Sequence, residues 1–292
     1  MLHTVENERL LICVNEHGAE LMNVTDRRTG YEYLWQGDPA VWTGRSPILF
    51  PIVGRLLNDA YRLNGETYTL AKHGFARKSD WELLCKNGNS LTFRLRENEE
   101  TLKSYPYAFD LTVSFTLQGN ALTVLHTVQN KNADTMYFSL GAHPGFNCEI
   151  GDSLVFDEAE TLSTEKIDLV RSLRLPEPVP VLRDANEIVI TKDIFNEDAL
   201  IFKGVRSSHL TLFAHGGKQK IRFLPAGSPY LGIWAKPGAP YVCIEPWWGV
   251  NDDARERADI SQKDEIRALP AGAAFSCAWS AEFSALTLDS GV

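Results

Sequence analysis

Alternation of apolar and polar residues at every second position is the feature of this sequence that most restricts its fold. In residues 90–98, leucine and phenylalanine alternate with threonine and arginine, and similar runs cover residues 111–117, 122–128 and 275–284. Because successive side chains of a strand point to opposite faces, each run predicts a strand with one buried and one polar face. Such strands are typical of antiparallel sheets.

Turn residues follow these runs at short intervals, for example at residues 118–120, as the connections of β-hairpins require. Helical periodicity is scarce, and residues 261–269 predict only a short helix or turn that ends at Pro270. The proline-rich residues 173–181 predict an extended connection that could link two domains. Because strand patterns lie on both sides of it, we expect a single domain over residues 1–292.

The expected architecture is all-β. A chain of 292 residues is long enough for one large β domain with a sizeable core. Stacking or closing the sheets leaves few exposed edges, so we expect a large antiparallel β-sandwich with few short helices.

Composition and motif searches exclude several classes of function. The formal net charge of −9 argues against a nucleic-acid partner, because such affinity comes mainly from cationic side chains. No run approaches the roughly 18 apolar residues of a membrane span, and no secretory signal pattern opens the sequence, so we predict a cytoplasmic protein. The five cysteines form no CxxC pair, and the dinucleotide, P-loop, zincin and hydrolase-elbow motifs do not occur.

Three parts of the sequence place ionisable side chains among glycine, proline and aromatic residues. The first combines LFPIVGR at residues 49–55 with KHGFAR at residues 72–77. The second is SLGAHPGF at residues 139–146, and the third is YVCIEPWWG at residues 241–249. Function in an all-β protein of this kind has to come from dispersed residues that the fold brings together.

Glu245 is the most informative of these side chains. In a strand it shares a face with Tyr241 and Cys243, within an apolar segment. Burial in such a segment raises the pKa of a carboxyl group, which suits a general base near neutral pH. The alternative is a surface glutamate or one half of a structural ion pair.

Histidines and one arginine are further candidates. His73 and His143 have side chains that titrate near pH 7, although a histidine hydrogen-bonded within a loop is the simpler alternative for each. Arg55 offers a fork of donors to a hydroxyl, carboxylate or phosphate group, or else forms a structural salt bridge. His126 shares a face with apolar residues of its strand, so we expect it to be half-buried and hydrogen-bonded.

Tryptophans supply a possible sugar-binding surface. Aromatic faces stack on the C–H faces of sugar rings, whereas core packing explains each tryptophan taken alone. The tryptophans within a few residues of glycine or proline are Trp35, Trp42, Trp234, Trp247 and Trp248.

The motifs HGFAR, GAHPGF and EPWWG, in this order, resemble those of the aldose 1-epimerase family, also called galactose mutarotase-like proteins. The resemblance extends from GAEL at residues 18–21 to LPAG at residues 269–272, and is greatest to a shorter bacterial branch. It implies a β-sandwich of the supersandwich type with a site in a groove over one sheet. It also implies catalysis without a metal or organic cofactor, and a small aldose as the bound partner.

The resemblance further implies roles for individual residues. Glu245 corresponds to the catalytic base of the family and His143 to its catalytic acid. Asp198 is the nearest positional match for the family's hydroxyl-binding aspartate. The candidate substrate-binding residues are His73, Arg55, Asp198 and Trp247.

Mutarotation removes a proton from the anomeric hydroxyl and delivers one to the ring oxygen, for which a carboxylate base and an imidazolium acid are suited. We therefore expect Glu245, His143, His73 and Arg55 to line one groove. We also expect Glu245 and His143 to face each other across a space the size of a sugar ring.

Other functions fit the same residues. A mutarotase for hexose 6-phosphates needs a cationic pocket, and Lys72, Arg77 and Arg45 lie near the motifs. A non-catalytic carbohydrate-binding protein would keep the tryptophans without needing an acid–base pair. A β-sandwich lyase or hydrolase domain would normally occupy a longer chain and use other acid–base groups.

Overall fold

The computed structural model describes residues 1–285. Strands dominate this range, with one α-helix, α1 (Glu99–Ser104), and three 3₁₀ turns at Leu57–Asp59, Ala76–Lys78 and Ile260–Gln262. The strands are β1 (Leu2–Glu6), β2 (Leu10–Asn15), β3 (Glu20–Asp26), β4 (Ile48–Leu49), β5 (Ala60–Leu63), β6 (Glu66–Thr69), β7 (Glu82–Asn87), β8 (Ser90–Arg96), β9 (Phe109–Gln118), β10 (Ala121–Asn130), β11 (Met136–Phe138), β12 (Leu140–Ala142), β13 (Gly145–Asn147), β14 (Ser153–Thr164), β15 (Val179–Val189), β16 (Leu200–Lys203), β17 (Leu210–Ala214), β18 (Gln219–Leu224), β19 (Tyr230–Trp234), β20 (Tyr241–Trp248), β21 (Arg267–Leu269) and β22 (Ala274–Ala285).

Fifteen of these strands form one antiparallel sheet. Its main path runs β4-β12-β20-β19-β16-β14-β17-β18-β22-β10-β9-β8-β7, with β13 paired to β20 and β15 paired to β14. The four alternating runs of the sequence form β8, β9, β10 and β22, which are neighbours in this path, so those four strand predictions are confirmed. Smaller sheets contain β1-β2-β3, β5-β6 and β11-β21.

The large sheet folds over itself into two facing layers. Phe146 in β13 contacts Phe223 in β18 and Phe283 in β22, with ring centroids 6.1 and 6.3 Å apart. These strands are several places apart in the hydrogen-bonded order, so the contacts cross between layers. Alternating apolar residues of both layers meet in the core, which confirms the predicted antiparallel β-sandwich.

The predictions for residues 261–269 and for the proline-rich segment at residues 173–181 were each correct only in part. Residues 261–269 begin with the 3₁₀ turn Ile260–Gln262, but their end is strand β21, because Leu269 and its neighbours pair with β11. From Val179 onward, the proline-rich segment is strand β15, which pairs with β14. None of the helices within residues 1–285 has the length and apolar composition of a membrane-spanning segment.

Strand β20 lies in the interior of the large sheet. It pairs with β19 along one edge and with β12 and β13 along the other. All eight residues of β20 are buried, including Glu245. With both edges paired and every residue buried, this strand leaves a carboxyl group little contact with water.

His126 in β10 differs from its expected environment. It is 1% exposed, and neither ring nitrogen has a hydrogen-bond partner within residues 1–285. It is therefore fully buried, not half-buried, and its imidazole is not satisfied. Burial lowers the pKa of His126 from 6.5 to about 4, because the charged imidazolium cannot be solvated there.

We expect His126 to make the fold sensitive to acid. Below pH 6.5 the unfolded chain takes up a proton at this histidine that the folded chain excludes until about pH 4, so stability falls as pH falls through this window. The full effect is about 3 kcal/mol, at roughly 1.4 kcal/mol per pH unit. Urea unfolding at pH 7 and pH 5 should therefore show a smaller loss of stability for His126→Leu than for the wild type. Equal losses in both proteins would contradict this.

Candidate active site

Sheet register places His143 beside Glu245. Gly141 pairs with Trp247, and Gly145 pairs with Cys243, both across to β20. The same register continued between these pairs puts position 143 opposite position 245. The structure shows this contact directly, because His143 Nε2 lies 3.3 Å from Glu245 Oε1.

Both carboxylate oxygens of Glu245 have a neighbour. Oε1 faces His143, and Oε2 accepts a hydrogen bond of 3.1 Å from the indole Nε1 of Trp247, two residues along the same strand face. Glu245 is 1% exposed, and this burial raises its pKa well above the ordinary value, partly offset by the hydrogen bond from Trp247. The group is therefore a carboxyl whose proton is held more tightly than usual.

His143 lies among aromatic rings. Its imidazole is 5.1 Å from the ring centre of Trp42 and 5.5 Å from that of Trp234. Burial lowers the pKa of His143 to about 3, which favours the neutral imidazole. Burial of both groups therefore favours a carboxylic acid beside a neutral imidazole over the carboxylate and imidazolium expected from the sequence.

His73 is held in one tautomer by the backbone. The backbone N–H of Gly54 donates to the ring atom Nδ1 of His73 over 3.1 Å. The backbone N–H of His73 donates in turn to the carbonyl oxygen of Gly54 over 2.8 Å. Burial lowers the pKa of His73 well below 6.5, so the ring is neutral. Because Nδ1 accepts, the remaining proton is on Nε2. His73 thus offers a hydrogen-bond donor next to His143, whose ring centre is 5.9 Å away.

The turn that carries His73 depends on the glycine that follows it. His73 has φ of 67°, and Gly74 has φ of 68°, in the left-handed region. A Cβ at Gly74 would lie 2.2 Å from the carbonyl oxygen of Phe50. Only glycine therefore lets the KHGFAR segment approach the strand end at Phe50, and this close approach brings His73 to the site.

Glycine also makes room for the indole that holds Glu245. A Cβ at Gly232, on the β19 side, would lie 2.8 Å from Cζ2 of Trp247. Gly232 pairs with Glu245 in the sheet. The indole of Trp247 therefore occupies space that any larger residue at position 232 would fill.

These side chains surround one cavity of about 250 Å³. This is slightly smaller than pockets for drug-sized ligands, which are about 300–1,000 Å³, and suits a single small ring. Tryptophans, two cations, two carboxyls and two histidines face it together. Its lining residues are Trp42, Pro47, Lys72, His73, Arg77, His143, Ile167, Asp198, Ala199, Ile201, Trp234, Glu245, Trp247 and Asn251.

Arg55 is not among the residues that line this cavity. Its guanidinium forms a two-point ion pair with Asp59, with Nε–Oδ1 and Nη2–Oδ2 distances of 2.7 and 2.6 Å. It lines a separate surface depression. The expectation that Arg55 joins the other three residues in one groove is therefore corrected, because a carboxylate four positions away holds the side chain. The guanidinium in the cavity belongs to Arg77.

His143 and Glu245 also differ from the expected arrangement across a ring-sized space. They lie side by side, within 3.3 Å, on one wall of the cavity. The two residues lie opposite each other on neighbouring hydrogen-bonded segments, so a ligand cannot pass between them. For this reason they do not face each other across a sugar-sized space.

Some lining residues escaped the sequence analysis. Asn251 lies just beyond β20, and a Cβ at Gly54 would overlap its side-chain oxygen at 2.0 Å, so the two segments are tightly packed. Ile167 and Pro47 complete the walls. Their sequence neighbours carry no pattern that points to a site. Trp248, flagged with the other tryptophans, does not line the cavity and packs in the core.

A larger depression of about 520 Å³ lies elsewhere, around Tyr61, Arg257 and Lys263. Two of its cations are already paired: Lys263 Nζ lies 2.8 Å from Asp252, and Arg257 lies 3.3 Å from Asp253 beside the depression. No histidine is among its lining residues within the described part of the chain, and an arginine does not give up its proton in a protein, so this depression is poorly suited to proton transfer. The smaller cavity is therefore the candidate active site.

Trp247 is expected to act as a positioning residue for Glu245. Trp247→Phe removes the indole donor, which raises the pKa of Glu245 further and frees its Oε2. A hydrogen bond to a charged group contributes about 1.5–3 kcal/mol, so we expect the rate of a reaction that uses Glu245 as its base to fall roughly 10- to 100-fold. The alkaline limb of the pH–rate profile should move to higher pH. Trp248→Phe is the matched control, and equal profiles for the two variants would contradict the assignment.

Comparison with known proteins places the chain among related sequences and structures. The family model described as aldose 1-epimerase matches residues 1–252. The chromosomal protein LacX of Lactococcus lactis subsp. lactis is 32% identical over 282 residues, covering 91% of this chain and 94% of LacX.

Two solved structures are closely similar. The galactose mutarotase related enzyme from Lactobacillus acidophilus is 33% identical, with a TM-score of 0.94 and full coverage of both chains. A galactose mutarotase-like protein from Lactobacillus casei is 31% identical, with a TM-score of 0.92 over 97% of this chain and 100% of that one. The matched family model and the shared architecture agree with the motifs around His73, His143 and Glu245. This chain is therefore a member of the aldose 1-epimerase family.

Proposed function

We propose that this protein is a mutarotase that interconverts the α and β anomers of an aldose. The observation that carries the proposal is the pair of buried proton-transfer groups, His143 and Glu245, 3.3 Å apart on the wall of a ring-sized cavity. The anomeric oxygen and the ring oxygen of a hemiacetal are bonded to the same carbon. An acid and a base that serve both oxygens therefore need to be neighbours.

The proposed reaction starts from the tautomer with Glu245 as carboxylate and His143 as imidazolium. Glu245 removes the proton of the anomeric hydroxyl while His143 donates to the ring oxygen, and the bond between C1 and that oxygen breaks. The product is the free aldehyde, with a carboxylic acid at Glu245 and a neutral imidazole at His143. Rotation about the C1–C2 bond and the reverse transfers close the ring in either configuration.

Burial favours the ring-opened stage of this cycle. A raised pKa at Glu245 and a lowered pKa at His143 both stabilise the uncharged forms present once the ring has opened. The N–H of Trp247 and the charge of Lys72 act in the opposite direction on Glu245, because both lower its pKa. The carboxylate–imidazolium form and the carboxylic acid–imidazole form are thereby kept closer in free energy, as a reversible proton transfer requires.

The remaining lining residues are proposed to hold the sugar. His73 supplies a neutral N–H donor, and Asp198 supplies a carboxyl that can accept from sugar hydroxyls. Trp42 and Trp234 meet edge to face, with ring centres 5.5 Å apart, and offer apolar surface for the C–H face of the ring.

A second candidate is a mutarotase for phosphorylated sugars. Lys72 and Arg77 line the same cavity, and Arg77 Nε is buried without a hydrogen-bond partner in the described part of the chain. Its Nη2 donates to the carbonyl of Lys72 over 2.9 Å, which fixes the guanidinium there. A phosphate group on the sugar would find two cations at this position.

Polarimetry or exchange NMR with single anomers of several aldoses tests the function. We expect the protein to accelerate equilibration of at least one aldose well beyond the spontaneous rate. Parallel assays with the corresponding sugar phosphates, with and without added salt, separate the two candidates, because screening weakens charge recognition. If tryptophan fluorescence reports sugar binding but no anomer equilibrates faster, the protein is a carbohydrate-binding protein instead.

A further inference from the structure

A third side chain lies beside the His143–Glu245 pair. Cys243 is on the same face of β20 as Glu245, two residues earlier, and it pairs with Gly145 across the sheet. One ligand atom of each of Cys243, His143 and Glu245 lies within 4.8 Å of the others, and all three residues are buried. The proton-transfer mechanism gives the thiol no role.

The geometry of this cluster approaches that of a tetrahedral metal centre. Two ligands about 2.0 Å from a zinc ion are roughly 3.3 Å apart across a tetrahedral angle. His143 Nε2 and Glu245 Oε1 are 3.3 Å apart. Side-chain rotation that moves the sulfur of Cys243 by about 1 Å would bring it within the ~2.3 Å length of a zinc–sulfur bond.

An ion would reach this cluster from the cavity. The thiol of Cys243 is closely packed, since a Cβ at the opposite residue, Gly145, would lie 3.1 Å from the ring of Trp42 and 3.3 Å from the sulfur. His143 and Glu245 line the cavity, so the fourth side of an ion held between them faces its interior. Three protein ligands and one position open to water is the arrangement of zinc sites that exchange a ligand.

We propose that Zn²⁺, or another divalent ion that accepts nitrogen, sulfur and oxygen donors, binds to His143, Cys243 and Glu245 and excludes the sugar. Binding replaces the proton of the Cys243 thiol, which passes to solvent, and that of the shared His143–Glu245 pair. The ion occupies the nitrogen and oxygen that the reaction uses, so it competes with substrate. Metal binding is independent of the proposed function, whereas the inhibition rests on it.

Cobalt is the probe for binding, because Co²⁺ bound to a thiolate gives a charge-transfer absorption that unbound Co²⁺ lacks. We expect this band in the wild type with Co²⁺, its loss on addition of Zn²⁺, and its absence in Cys243→Ser. Cys148→Ser is the matched control, since Cys148 is also a buried cysteine but lies outside the cluster. Loss of a direct ligand should weaken zinc affinity by at least about 10- to 100-fold, the range seen for loss of outer-shell partners.

Inhibition is the second measurement. Zn²⁺ should raise the apparent KM of anomer equilibration in the wild type and in Cys148→Ser, and should do so far less in Cys243→Ser. Cys243→Ala repeats the test if the serine variant does not fold. No cobalt–thiolate band in the wild type, or equal zinc affinity with and without Cys243, would overturn the proposal. A band without catalytic activity would leave the metal site standing and count against the proposed function alone.

Discussion

Replacement of Glu245 by glutamine is expected to slow anomer equilibration by about 10²–10⁴-fold, the usual contribution of one positioned acid–base group. Glutamine has nearly the same shape, and its carbonyl oxygen can still accept the hydrogen bond from Trp247 Nε1. It cannot take a proton from the anomeric hydroxyl. We therefore expect kcat to fall while KM for the sugar changes little, measured by polarimetry over a range of concentrations.

Glu187→Gln is the matched control, because it makes the same chemical change at an exposed position of β15. Its rate should stay within about two-fold of the wild type, as is usual for surface substitutions. If Glu245→Gln keeps the wild-type rate and is folded, the carboxyl group at position 245 is not the base. The family relationship would then need a different acid–base pair in this chain.

Replacement of His143 by asparagine is expected to cost roughly 10²–10³-fold in kcat. The amide can hydrogen-bond to Glu245 but cannot deliver a proton to the ring oxygen. Loss of the imidazole also leaves the buried carboxyl of Glu245 without its partner at 3.3 Å, so the remaining carboxyl should be protonated over a wider pH range. Any residual activity should therefore appear only as pH rises through the raised pKa of Glu245, and the acid limb that His143 gives to the wild-type profile near pH 3 should be absent.

His17→Asn serves as control for this variant, since His17 is 57% exposed and lies outside the cavity. A double variant, Glu245→Gln with His143→Asn, gives a sharper result. Groups that act as one unit are not additive, so the double variant should be about as slow as the slower single variant. Fully multiplicative losses would indicate that the two groups act in separate steps.

The alternation of apolar and polar residues was sufficient to predict four of the strands that enclose the core. The alternation in β8, β9, β10 and β22 needs only the two-residue repeat of a strand, and it predicted both their existence and their buried faces. The segment at residues 261–269 was harder to predict, because the pairing of β21 with β11 decides the conformation of its end. The single domain over residues 1–292 stays a prediction.

Among the site residues, too, some positions followed from the sequence and others depended on the tertiary structure. Of the four residues expected in one groove, His73, His143 and Glu245 line the cavity and Arg55 lies outside it. The candidates Asp198 and Trp247 line the same cavity, and the roles of all these residues stay predictions. A partner only four residues away, Asp59, holds Arg55, but the bent turn that brings the two together is not visible as a pattern. Arg77, and not Arg55, is the arginine that lines the cavity.

By itself, the sequence determined the all-β class, the family and most of the residue types at the site, because each of these depends on local spacing or on motifs. Only the tertiary structure decided that His143 contacts Glu245, that Trp247 holds the carboxyl and that Cys243 lies beside both. Those contacts depend on the register between strands distant in sequence. The protonation of the pair likewise depends on how completely two sheet layers remove water from β20, which no single segment of the chain can specify.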